Sequence, residues 1–159
     1  MRTLMLLVTV FVWTGSLFSA DSPMIGTWKI NFARSRYPAA SRAANFKEAI
    51  SVYREIENEL IEGVSTETQK DGKVVVEKWT VPKSGGLRTY QQTGRGQDIS
   101  ILHVVIDQYT TYLVHLENGK QVFLRRITFS QDFKTYTLEG KYKDAQGTPV
   151  DFLFFYENQ

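Results

Sequence analysis

The sequence contains no cysteine and only two histidines. Disulfides, thiolate-bound metal and a lipid anchor on a cysteine are therefore excluded, and stability must come from a packed core. An excess of one charge is lacking as well. The 19 Lys and Arg stand against 17 Asp and Glu, interleaved throughout, for a formal net charge of +2. That balance leaves no basic footprint for nucleic acid or an anionic membrane surface. Long apolar runs are also missing: residues 4–13 are about half of the roughly twenty residues a membrane-spanning helix needs, and no later run approaches that length. No transmembrane segment is expected.

What is present begins with a leader. Met1-Arg2 gives a positive start, residues 4–13 an apolar centre, and Thr14-Gly15-Ser16 and Ser19-Ala20 a small-residue end, the order of a secretory signal peptide. Cleavage is expected after Ala20 or Ser19, although Phe18 or Leu17, three positions before the cut, is bulkier than the usual small residue. Residues 1–20 are thus read as the signal and 21–159 as one mature domain, exported to the periplasm or the medium and monomeric. With about 140 residues, it can bury roughly two-thirds of its unfolded-chain surface in a single core.

Turn signals recur at short intervals along that domain: Asp71-Gly72, Gly85-Gly86, Gly94-Arg95-Gly96, Asn118-Gly119, Ser130-Gln131-Asp132 and residues 144–149. Between them lie β-branched and aromatic runs of strand length, predicted at 25–32, 48–57, 60–69, 73–81, 87–92, 98–106, 109–117, 120–129, 133–142 and 150–156. Short loops join neighbouring strands directly, so the fold class is all-β, an antiparallel meander closing into a barrel that removes exposed edges. One short helix is expected at 39–47, after Pro38. There is no internal repeat or linker.

Asn118-Gly119 is a strong two-residue hairpin signal. It predicts Glu117 opposite Lys120, Val114 opposite Phe123 and Tyr112 opposite Arg125, which puts Tyr112, Phe123 and Arg125 on one face. Two aromatics and a guanidinium there would hold a molecule with an apolar body and a polar or anionic end. Adjacent strand residues face opposite ways, so only one of Arg125 and Arg126 points inward, and Arg125 is the choice. If Asp107-Gln108 is a two-residue turn, His103 faces Tyr112 and His115 faces Ser100. The histidines then lie on opposite faces and cannot share a metal.

No clustered carboxylates, H-x-H pair or G-x-S-x-G elbow occurs, and the glycine loops lack a following helix, so no catalytic residue, metal or cofactor is assigned and an enzyme ranks last. The acidic run Glu55, Glu57, Glu59 and Glu62 beside Arg54 reads as a solvated strand face, because it alternates with Ile56, Leu60 and Ile61, rather than as a charged patch for a partner. The aromatics of the second half fit core packing and a ligand pocket equally well.

Residues 26–31, Gly-Thr-Trp-Lys-Ile-Asn, carry a resemblance. The G-x-W element, Gly26 with Trp28, resembles the first strand of lipocalins and fatty-acid-binding proteins, the calycin superfamily, and implies a barrel of about 8–10 strands whose tryptophan closes one end. Ser35 to Pro38, Ser130 to Asp132, Asp144 to Gly147 and Tyr156-Glu157 extend the likeness to bacterial exported lipocalin-like domains, for which it implies fold and export but no activity. The chain departs from fatty-acid-binding proteins in having no R-x-Y element on its last strand, and from lipocalins in having no basic residue after Lys143. The function expected is extracytoplasmic binding of a small, partly apolar ligand. The alternative is a protein-interaction module, an inhibitor or envelope accessory factor, built on a filled barrel.

Overall fold

The computed structural model describes residues 22–39, 41–57, 59–91, 98–143 and 147–159. The expected signal peptide, the Gly94-Arg95-Gly96 loop and part of the 144–149 turn lie outside the described residues. The strands are β1 (Gly26–Ile30), β2 (Phe46–Ile56), β3 (Leu60–Gln69), β4 (Val74–Pro82), β5 (Gly86–Gln91), β6 (Asp98–Val105), β7 (Thr110–Glu117), β8 (Lys120–Phe129), β9 (Thr135–Lys143) and β10 (Pro149–Asn158). They form one antiparallel sheet in the order β4-β3-β2-β1-β10-β9-β8-β7-β6-β5. The meander thus curls into a nearly closed barrel, as the turn spacing predicts.

The seam lies between β4 and β5, which follow each other in sequence yet stand at opposite edges of the sheet. Side chains tie it instead of a ladder. His103 Nδ1 lies 2.7 Å from the Pro82 carbonyl oxygen, and Arg88 Nε donates to Thr80 Oγ1 at 3.3 Å. An N–H at Nδ1 satisfies the Pro82 carbonyl and fixes the ring's tautomer.

Trp28 closes the opposite end from the cavity mouth described below. It is fully buried, packed on Tyr136 at 4.8 Å and Phe129 at 5.8 Å between ring centroids. Gly26 adopts φ 140, which L side chains rarely take, while a Cβ there would make only ordinary contact with Trp28 Nε1 at 3.5 Å, so the glycine of the G-x-W element supplies the backbone conformation. After β1 the chain continues beside β10. Arg36 and Leu153 exchange backbone hydrogen bonds at 2.7 Å, and Ser35 Oγ accepts from Phe155 N–H at 3.0 Å. The Ser35 to Pro38 stretch is therefore a clasp along the last strand that brings Tyr37 onto Phe154 (5.7 Å).

Three local expectations are corrected. The helix at 39–47 is only a 3₁₀ turn, Arg42–Asn45, without a side-chain cap from Ser41. So short a segment does not sustain an α-helix, and β2 takes over at Phe46, paired with Gln69. In the β7–β8 hairpin Glu117 pairs with Lys120 as expected, and Asn118 and Gly119 have the positive φ of a type I′ turn. Val122 is then an extra residue in a bulge, so His115 faces Phe123, Leu113 faces Arg125, and Tyr112 faces Arg126. The β6–β7 turn is also longer than two residues, because Asp107 Oδ1 accepts from the N–H groups of Tyr109 and Thr110. His103 consequently pairs with Leu113 and His115 with Ile101, which puts both histidines on the interior face rather than on opposite ones.

Candidate functional site

Within the barrel is a cavity of about 510 Å³. Its mouth is ringed by Tyr37, the 3₁₀ turn and the ends of β3, β4, β7 and β9. Its walls mix aromatic rings with a few charges, which follows from the strand period: on β8 the inward positions are Phe123, Arg125, Ile127 and Phe129, and on β10 they are Phe152, Phe154 and Tyr156. Phe123 stacks on Phe152 at 5.6 Å and on Tyr142 at 5.7 Å, giving one apolar wall.

Arg125 is the cation of that wall. Its guanidinium carbon lies 4.7 Å from the Phe123 ring centre, and its buried Nε has no hydrogen-bond partner among the described residues. No carboxylate among them pairs with it within 4.0 Å, whereas Arg126, one residue on, points outward to Glu139 at 3.8 Å. Burying a guanidinium without a counter-charge is costly.

Tyr53, Tyr156 and the buried Ser51 share the cavity with Arg125, and Tyr136 stacks on Tyr156 at 4.4 Å. Burial raises the hydroxyl pKa of all three tyrosines, and the nearby Arg125 charge opposes that rise only in part. They remain neutral donors. The Tyr136 hydroxyl itself makes no well-formed hydrogen bond among the described residues. His115, edge-on to Phe123 at 6.0 Å, has its pKa pushed down to about 3, first by burial and then by Arg125. It is neutral at ordinary pH, with a buried Nε2 that lacks a partner among the described residues.

At the mouth the charges reverse. Arg42, on the 3₁₀ turn, binds Glu67 of β3 and, at 3.1 Å, Glu77 of β4. Burial raises the Glu67 pKa, with Glu77 adding to the rise and Arg42 countering it. This group lines the same cavity as Tyr53 and Tyr156.

Of the three residues expected to form a ligand site, the structure brings Phe123 and Arg125 together in the cavity. The Val122 bulge puts Tyr112 on the outer face, in a shallow groove of about 280 Å³ with Leu124 and Arg126. Tyr53, Tyr156, His115, Glu67 and Glu77 were not singled out as ligand contacts by the sequence. The only available signal was strand alternation, which on β2 aligns Ser51 with Tyr53. A larger depression of about 730 Å³ lies at the Trp28 end, among the turns near Pro23, Lys83 and Asp107, and reaches the buried Met24, His103 and Phe129. Among the described residues no group of three or more His, Cys, Asp or Glu side chains is placed to hold a metal.

No family model matches the chain, and no curated protein matches it. Solved structures do. It is similar to the fluorescent protein UnaG, with 10% identity and a TM-score of 0.55 over 85% of this chain and 96% of that one. It is similar to zebrafish ileal bile acid-binding protein complexed with cholic acid, with 11% identity and a TM-score of 0.53 over 87% and 100%. A third is As-p18, an extracellular fatty acid binding protein, with 13% identity and a TM-score of 0.54 over 87% and 98%. At such identities the likeness shows the fold, a barrel of the fatty-acid-binding and lipocalin type.

Proposed function

We propose that this protein is an exported, monomeric carrier or scavenger that binds a small, partly apolar molecule inside its barrel, with an anionic or strongly polar end against Arg125. The observation that carries the reading is the Arg125 guanidinium, which has no ion pair among the described residues, in a cavity of about 510 Å³. A half-buried arginine whose buried Nε lacks a partner among the described residues costs stability that an apolar residue would spare, and a ligand anion would recover it. Phe123, Phe152 and Phe154 supply an apolar wall for the ligand body, and the neutral tyrosines supply donors for its head. Two of the similar structures are described as binding proteins, for bile acid and for fatty acid, which agrees with this use of the fold. The interior volume favours an occupant over a filled barrel working through its loops. Export, with residues 1–20 as the cleaved signal, rests on the N-terminal sequence pattern.

The test is to replace Arg125 and Arg126 separately with methionine and titrate both variants and the parent with fatty acids and aromatic acids. Loss of binding in Arg125→Met with Arg126→Met unchanged is the expected result. A parent that binds none of these acids, or two variants that bind like the parent, overturns the internal site and leaves the interaction module as the better reading.

A further inference from the structure

Resting on the internal-site reading above, we propose that the cavity selects amphiphiles with one negative charge and a far end that is neutral and donates hydrogen bonds, an alcohol above all, and that it rejects dianions. The charges lining the cavity are arranged as two poles. Arg125, among the tyrosine hydroxyls, is a cation with no ion pair among the described residues. Glu67 and Glu77, on the mouthward rungs of β3 and β4, share a single guanidinium, that of Arg42. Glu117 also lines the cavity and has a partner of its own.

Among the described residues, two carboxylates against one cation leave the mouth with an excess negative charge once a ligand carboxylate occupies Arg125, whose field otherwise reaches Glu67, in a partly desolvated place where like charges repel more strongly than in water. The lone pairs tell the same story. Arg42 binds Glu67 through Oε2 and Glu77 through Oε1. Glu67 Oε1 and Glu77 Oε2 accept no hydrogen bond among the described residues. Both residues line the cavity, and their free acceptors suit a hydroxyl or amine. A second carboxylate on the ligand would meet only repulsion, so the same two residues attract one class and exclude the other.

The probes are hexadecanoic acid, its ω-hydroxy derivative and the corresponding dicarboxylic acid, titrated calorimetrically into lipid-free protein at neutral pH. The hydroxy acid is expected to bind at least as tightly as the monoacid, and the diacid about tenfold or more weakly. Glu67→Gln combined with Glu77→Gln should narrow the gap by improving the diacid. Arg42→Met should widen it, and this second variant keeps the test decisive where the double glutamine variant does not fold. A diacid that binds the parent as tightly as the monoacid overturns the selection rule while leaving the internal site standing. If none of the three acids binds the parent, the selection rule falls, and the internal site falls with it when the aromatic acids fail to bind as well.

Discussion

The Trp28 indole N–H donates to the Met24 carbonyl oxygen at 2.9 Å, fastening the chain entering β1 under the ring that closes the barrel. Trp28 and Met24 are both buried, so the bond is made out of water, where leaving the carbonyl unpaired is costly. Trp28→Ala is expected to lower the unfolding free energy by about 3–5 kcal/mol, the range for removing a large buried aromatic. Trp28→Phe should cost less, because it keeps a ring against Tyr136 and Phe129 while leaving the Met24 carbonyl unpaired. Urea unfolding of the three proteins measures both, and an alanine variant within about 1 kcal/mol of the parent would show that the ring is not structural.

Acid should destabilise the barrel through its histidines. The His115 pKa is about 3, lowered by burial and by Arg125, and that of His103 is lowered by burial despite the Pro82 carbonyl. Between about pH 3 and 6.5 the unfolded chain therefore binds more protons than the folded one, so stability is full above pH 6.5 and falls as the pH drops through that window. Glu62, held down by Lys78 and Arg54, adds a loss at lower pH, whereas the raised Glu67 pKa acts in the opposite sense. His115→Phe should flatten the decline, removing up to about 3 kcal/mol of the difference between neutral pH and pH 4. Urea midpoints measured across that range for parent and variant check it; parallel curves would assign the acid sensitivity elsewhere.

The sequence made the meander legible because hairpins are local: Asn118-Gly119 and Asp71-Gly72 announce their turns, and alternation marks each strand. Gly26 and Trp28 pointed to the barrel end for the same reason. What it hid was register. One extra residue at Val122 lies in an apolar run that reads alike before and after the shift, yet it carries Tyr112 out of the face that holds Arg125. The Asp107 side chain lengthens the β6–β7 turn in the same silent way and brings both histidines inward. The mouth was hidden for a different reason. Arg42, Glu67 and Glu77 meet only when a 3₁₀ turn lies over a hairpin formed later in the chain, and no spacing in the sequence records that.

Phe152 lies over Gly140 on the neighbouring strand, so closely that a Cβ at position 140 would be 2.0 Å from the ring's Cζ and 2.4 Å from Cε1. The two residues are directly paired across β9 and β10, and Gly63 beneath Trp79 repeats the arrangement on β3 and β4, at 2.5 Å. Each glycine lets an aromatic ring lie down against the sheet, and the cavity owes part of its width to those two flat rings. Gly140→Ala must lift the Phe152 ring, and its room to move is limited by Phe123 at 5.6 Å and Phe154 at 4.9 Å between ring centres. Overpacking of this kind costs about 1–3 kcal/mol. Phe152→Leu alone loses ring contacts, but it also removes the atoms that the new methyl group would strike. The double variant should therefore be more stable than the sum of the two single losses allows, with a coupling of about 1 kcal/mol or more between directly contacting residues. Denaturant unfolding of parent, both singles and the double closes the cycle, and strict additivity would show that the ring does not rest on Gly140.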